Sequence, residues 1–250
     1  MEREKSSDLL KRIHEEYEVI PGIHNYCDRW CQRCRFCTRC SVYLMEVEEE
    51  KFRVENNLPE QDFEESMSNI LQDTMEMIIE MAAEDGIELS EEMDAELEFF
   101  PPRRPSKKHY LFRKADEHSK WLIKWFRENR KKLDTKVKEF SETSKQDFLI
   151  FENAIDSLSW YMHFIAVKFA RALVPPYDES PEASFDKNGS AKIAIIATEN
   201  TMHAISSIMS YFPEDEDEFL TALVRLERIR KRALKEFPDA MSFKRPGFDD

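Results

Sequence analysis

Glycine is nearly missing: Gly22, Gly86, Gly189 and Gly247 are the only four in 250 residues, and they lie far apart. Loops that cradle nucleotide phosphates place two or three glycines within a few residues, so that backbone N–H groups can close on the ligand. A dinucleotide fingerprint, a Walker loop and a kinase phosphate loop are therefore excluded. No uncharged apolar run reaches the roughly 18 residues that mark a membrane-crossing helix. The opening Met-Glu-Arg-Glu-Lys-Ser-Ser-Asp lacks the apolar stretch of a secretory leader, so the expected location is cytoplasmic, with no membrane partner. Basic charge is in deficit as well, 37 Lys and Arg against 51 Asp and Glu, for a net charge of -14. Such a chain repels phosphate backbones unless its cations gather locally. The two basic stretches, 103–114 and 127–138, read as a linker and solvated helix faces. Direct nucleic-acid binding is disfavoured, and an unidentified protein partner stays open.

Cysteine is absent outside one short stretch. Cys27, Cys31, Cys34, Cys37 and Cys40 all fall within residues 24–40, whereas thiols kept as small core residues would be scattered. The spacing C-x3-C-x2-C-x2-C-x2-C gathers thiolates that select a soft metal, zinc or iron–sulfur, over magnesium or calcium. Structural zinc ordinarily draws two ligand pairs from either side of a longer loop, and here the second pair follows too soon. The tandem Cys31-x2-Cys34-x2-Cys37 resembles the start of the bacterial ferredoxin run, C-x2-C-x2-C-x3-C-P. The likeness covers under a tenth of the chain and departs at Cys40, which follows after two residues with Ser41 near the proline position. It carries over no activity. Cys27-x3-Cys31-x2-Cys34 has the spacing of radical S-adenosylmethionine enzymes, but their barrel and Gly-rich loops have no counterpart here. Arg29, Arg33, Arg35 and Arg39 alternate with the thiols and would offset thiolate charge. In a reducing compartment a redox or disulfide-forming thiol group is the weaker account. The expected metal ligands are Cys27, Cys31, Cys34, Cys37 and Cys40, five thiols for four positions. The expected cofactor is an iron–sulfur cluster or Zn2+, with iron–sulfur slightly ahead.

Apolar residues elsewhere recur at helical spacing. A first helix is expected from Ser7 or Asp8 to Ile20, stopped by Pro21-Gly22, and another from Phe63 to Ala83, ended by Gly86. An acidic helical stretch at 88–98 meets a proline break at 99–105. Further helices are expected over 110–132, 144–173, 190–212 and 214–237. The fold class is all-α, a helical bundle with an N-terminal cysteine-ligated metal segment. The domain reading is 1–100 for an N-terminal region holding that segment, 106–237 for a C-terminal bundle, and 238–250 for a polar tail.

A second constellation lies on the two most apolar helices. Glu152, Asp156, Ser159 and His163 step by four, three and four, and Glu199, His203, Ser206 and Ser210 repeat that spacing. Facing stripes would bring carboxylates and imidazoles together as in ferritin-like di-iron proteins. Their Glu-x-x-His signature is missing, and the plainer reading is polar pairing between helices. The leading functional expectation is a cytoplasmic metal-binding protein serving as an interaction or sensing module. One alternative is a redox or hydrolytic metalloenzyme using Glu152, Asp156, His163, Glu199 and His203. The other is a structural adaptor whose acidic helices bind a basic partner.

Overall fold

The computed structural model describes residues 5–57, 63–84, 86, 108–175 and 181–249. Among these residues there are seven α-helices and no strand, so the chain is all-α. Two compact units divide it: Met1–His24 with Cys31–Pro102, and Asn25–Trp30 with Arg103–Asp250. The connector around Pro59, the acidic stretch 88–98, the proline break 99–105 and the loop after Pro175 lie outside the described residues, wholly or in part.

In the first unit, α1 (Ser6–Glu16) packs on α2 (Ser41–Glu55) around a small apolar cluster and also touches α3 (Phe63–Glu84). Leu9 and Ile13 lie four residues apart on α1 and meet Leu44 of α2, with Tyr17, Val19 and Met45 around them. Arg12 ties α1 to Glu48 of α2 at 3.2 Å, and Ser6 donates to Asp73 of α3 at 2.8 Å. The first helix is shorter than its apolar spacing predicts. Tyr17 is already extended, and Val19 N–H turns back to the Tyr17 carbonyl. At the far end of α3, Gly86 adopts φ 70° and donates to the Ala83 carbonyl, a left-handed stop that glycine accepts at little cost.

The second unit is a four-helix bundle of α4 (Tyr110–Thr143), α5 (Lys145–Ala172), α6 (Pro181–Met209) and α7 (Glu216–Glu236). Each helix packs on the next, and α7 returns to α4, closing the ring. Asp147 meets Tyr211, Tyr161 meets Asn200 and Arg171 meets Asp186, so α5 and α6 run antiparallel. Phe151, Leu158, Ile165 and Phe169 of α5 share one core with Ile195, Ile205 and Ile208 of α6 and Phe219, Leu226 and Ile229 of α7. From α4, Trp125 stacks edge-on to Phe212, and its indole N–H donates to Asp215 at 3.0 Å.

In the second unit three boundaries differ most from the sequence expectation. α4 continues past Lys132 to Thr143, where Ser144 caps α5 by accepting from Asp147 N–H at 3.2 Å. α6 begins at Pro181 and carries Gly189 in its interior rather than starting after it. A Cβ at Gly189 would stand 2.4 Å from the Tyr26 ring, so the bare backbone admits that ring into the bundle. The stretch read as a polar tail is docked: Ala240 and Phe243 are buried, and Lys192 of α6 donates to the Met241 and Phe243 carbonyls and pairs with Asp249 at 2.8 Å. Its polar composition hid two apolar anchors, and its carbonyls serve as acceptors for the buried cation of α6. Among the described residues no helix is long and apolar enough to cross a membrane.

Candidate metal centre

The cysteine run is a chain of tight turns. Cys34 N–H donates to the Cys31 carbonyl at 3.1 Å, Cys37 to Cys34 at 3.4 Å, and Cys40 to Cys37 at 3.3 Å. Each cysteine closes the turn that the preceding one opens. Cys31–Arg33 and Cys37–Arg39 are short 3-10 helices, a geometry with three residues per turn in which side chains at i and i+3 eclipse. Period three in the sequence thus meets three-residue turns in the backbone, although the 3-10 geometry is interrupted at Cys34–Phe36 and Cys40 is extended. All five thiols are half-buried.

The run is anchored at its end. Arg39 donates through Nε to the Glu18 carbonyl at 3.1 Å and pairs with the Glu18 carboxylate at 3.2 Å, while its own carbonyl accepts from Ile20 N–H at 2.9 Å. Cys40 then becomes the residue before α2, and its carbonyl accepts from Leu44 N–H at 3.0 Å. Phe36 N–H donates to Cys34 Sγ at 3.4 Å, and Arg29 N–H does the same for Cys27 Sγ at 3.4 Å. A backbone donor two residues on from a thiol favours its ionised form, the form that binds metal. Arg29 reaches this position with φ 59°, a left-handed conformation that a residue with a Cβ adopts at some cost.

The five cysteines are divided between the two units. Cys31, Cys34, Cys37 and Cys40 are in the first unit, whereas Cys27 belongs to the segment Asn25–Trp30 of the second. In that segment Asp28 accepts from the Tyr161 hydroxyl at 2.7 Å through its carboxylate and from the Trp160 indole at 2.9 Å through its carbonyl. Trp30 stacks on Trp160 with ring centroids 5.2 Å apart. Lys168 of α5 is buried, which pushes its ammonium below the ordinary lysine value. Arg171 adds to that shift and Cys27 opposes it. Among the described residues, no three Cys, His, Asp or Glu side chains converge closely enough to hold a metal ion.

The carboxylate and imidazole stripes lie elsewhere than expected. Glu152, Asp156, His163 and His203 are exposed, and Glu199 is half-buried and pairs with Arg230 of α7 at 3.4 Å. At about 100° per residue each stripe sits nearly opposite the arc that its helix buries. The helices do pack together, but through Phe151, Leu158 and Ile165 against Ile195, Ile205 and Ile208. Burying the wider apolar arc turns the polar one to solvent.

Two notable groups escaped the sequence reading. Asp28 gave no signal, because a lone carboxylate beside a cysteine looks like surface. His118 did carry one: it continues the spacing Leu111, Ala115, Leu122, Trp125 on the inner face of α4, and it is 1% exposed. Among the described residues, neither of its ring nitrogens has a hydrogen-bond partner, nor does the buried Nη1 of Arg225. Burial lowers the His118 pKa to about 3, with the charge of Arg225 a lesser cause. Comparison with known proteins finds no family model, no curated protein and no solved structure that matches the chain.

Proposed function

We propose that Cys31, Cys34, Cys37 and Cys40 form a thiolate metal centre, an iron–sulfur cluster ahead of Zn2+, in a protein that acts as an interaction or sensing module. The observation that carries this reading is the coincidence of a three-residue thiol repeat with three consecutive three-residue turns in one unit. Zn–S bonds of about 2.3 Å require sulfurs about 3.8 Å apart around one ion. Where the run is 3-10, a rise of about 2 Å per residue would space thiols three residues apart more widely than that. An iron–sulfur core offers a separate iron to each thiolate, which suits a spaced row better than one shared ion. Loading would draw the row into a curve about the cluster. Arg33, Arg35 and Arg39 would offset its negative charge, and the Phe36 N–H would tune the Cys34 sulfur.

Cys27, in the other unit, is the spare thiol of this scheme. The exposed stripe of Glu152, Asp156, His163 and His203 lacks the enclosure that a metalloenzyme reading needs, which favours a binding role over a catalytic one. The test is anaerobic purification of the full chain followed by metal and acid-labile sulfide analysis and an absorption spectrum. Stoichiometric iron and sulfide, lost in Cys34→Ser and Cys37→Ser and kept in Cys27→Ser, is the expected result. Stoichiometric zinc without sulfide, lost in the same variants, would retain the thiolate centre and reassign its metal. Metal-free protein, or metal unaffected by Cys34→Ser and Cys37→Ser, would overturn the proposal.

A further inference from the structure

α3 presents an apolar face that is solvent-exposed and not covered by the described residues of its unit. Asp73 on one side of the helix accepts from Ser6 of α1, and Glu80, on the same side, pairs with Lys5 at 2.8 Å. On the opposite side Leu71, Met75, Ile78 and Ile79 are 59%, 57%, 49% and 50% exposed. At about 100° per residue these four fall within one arc of roughly a quarter of the helix surface. Water-facing aliphatic groups at i, i+4, i+7 and i+8 are the pattern by which an amphipathic helix docks on another. Methionine adds adaptability, since its unbranched thioether moulds to differently shaped partners.

Charge selects the partner. Between Phe63 and Glu84 the helix carries Glu64, Glu65, Asp73, Glu76, Glu80 and Glu84 and no Lys or Arg. A second copy docking through the same face would set two wholly acidic helices side by side, and an anionic lipid surface would be repelled likewise. We infer that the Leu71–Met75–Ile78–Ile79 face of α3 is a docking site for a basic amphipathic helix of a partner protein. Leucine-like side chains of that partner cover the stripe, and its flanking Lys or Arg meet Glu76 and its acidic neighbours. The inference does not depend on the metal centre.

The probe is a synthetic leucine–lysine amphipathic peptide of about 20 residues, long enough to lie along all of α3. It carries one tryptophan for fluorescence titration against the full chain. A leucine–glutamate peptide of the same pattern is the control. The leucine–lysine peptide should bind and the acidic one should not, and affinity should fall as salt is raised. A Leu71→Ser, Ile78→Ser double variant should bind about tenfold more weakly or worse, as expected when central apolar anchors are removed from an interface. Val167→Ser, which alters a solvent-facing apolar residue of α5 in the other unit, should leave affinity unchanged. Circular dichroism checks that the variants keep their helix, and the peptide and salt comparisons on unaltered protein do not depend on them.

Three results would overturn the inference. Undiminished binding by the double variant would mean attraction to bulk charge alone. A dimer of the unaltered chain, in sedimentation, that dissolves in the double variant would make a second copy the occupant. Failure to bind the peptide, relieved by Arg103→Glu with Arg104→Glu, would mean that the chain's own basic stretch takes the face.

Discussion

Acid should strip stability from the second unit through one side chain, His118. In the folded protein its pKa is lowered to about 3 from 6.5, chiefly because the ring is buried. The unfolded chain therefore takes up a proton near pH 6.5, while the folded chain keeps the ring neutral until far lower pH. With the folded value depressed, the unfolded state binds more protons throughout that window, so stability is full above pH 6.5 and falls as pH drops towards 3. Each unit inside the window costs about 1.4 kcal/mol, and the fall from pH 7.5 to 5 costs about 2 kcal/mol. His118→Leu removes the titration and sacrifices no hydrogen bond among the described residues, where neither ring nitrogen has a partner. At pH 7.5 the variant should lie within about 1 kcal/mol of the parent. Urea unfolding of both proteins at the two pH values isolates the effect, because every other carboxylate and histidine contributes to both. The parent should lose about 2 kcal/mol more than the variant between pH 7.5 and 5. Equal losses, or a His118 titration near its ordinary value by NMR, would refute the reasoning.

Other expectations follow from the packing. Gly189→Ala would drive a methyl group into the Tyr26 ring at 2.4 to 2.8 Å, and thermal unfolding should register a loss of about 1 to 3 kcal/mol. Lys192→Met removes the cation that gathers the Met241 and Phe243 carbonyls and Asp249, so protease nicking after Phe237 should speed up and stability fall by about 2 kcal/mol. Asp249 is held below the usual carboxylate range, first by its hydrogen bond from Arg245 and then by Lys192. Its contribution is present above about pH 4 and disappears as pH falls through the depressed folded value, so Asp249→Asn should flatten the acid limb of the stability curve. Asp28→Ala removes the acceptor for the Tyr161 hydroxyl and Trp30 N–H and should increase hydrogen exchange in 25–30.

Apolar spacing made most helices legible because burial follows the same 3.6-residue period. Phe63–Glu84 and Glu216–Glu236 stand within two residues of their expected limits. Where tertiary contacts decide, local signals failed. Gly189 reads as a breaker, yet Tyr26 occupies the space its missing side chain leaves. Composition labels 238–250 polar, yet Phe243 and the buried Lys192 hold it in place. Helical spacing groups the stripes of α5 and α6 by angle. Which arc turns inward depends on the competing apolar arc, and the polar grouping alone does not decide that. The clustering of the cysteines was plain from the start. The division that puts Cys27 in one unit and the other four in the other depends on Asp28 and Trp30 docking on the bundle, and neither residue announces that in sequence.

The central claim is that sulfur from Cys31, Cys34, Cys37 and Cys40 binds a metal. X-ray absorption at the metal edge of anaerobically purified full-length protein tests it most directly. The account predicts stoichiometric metal with an all-sulfur first shell and, for iron, a second shell of neighbouring iron. A first shell of oxygen or nitrogen, or protein that binds no stoichiometric metal, would contradict it.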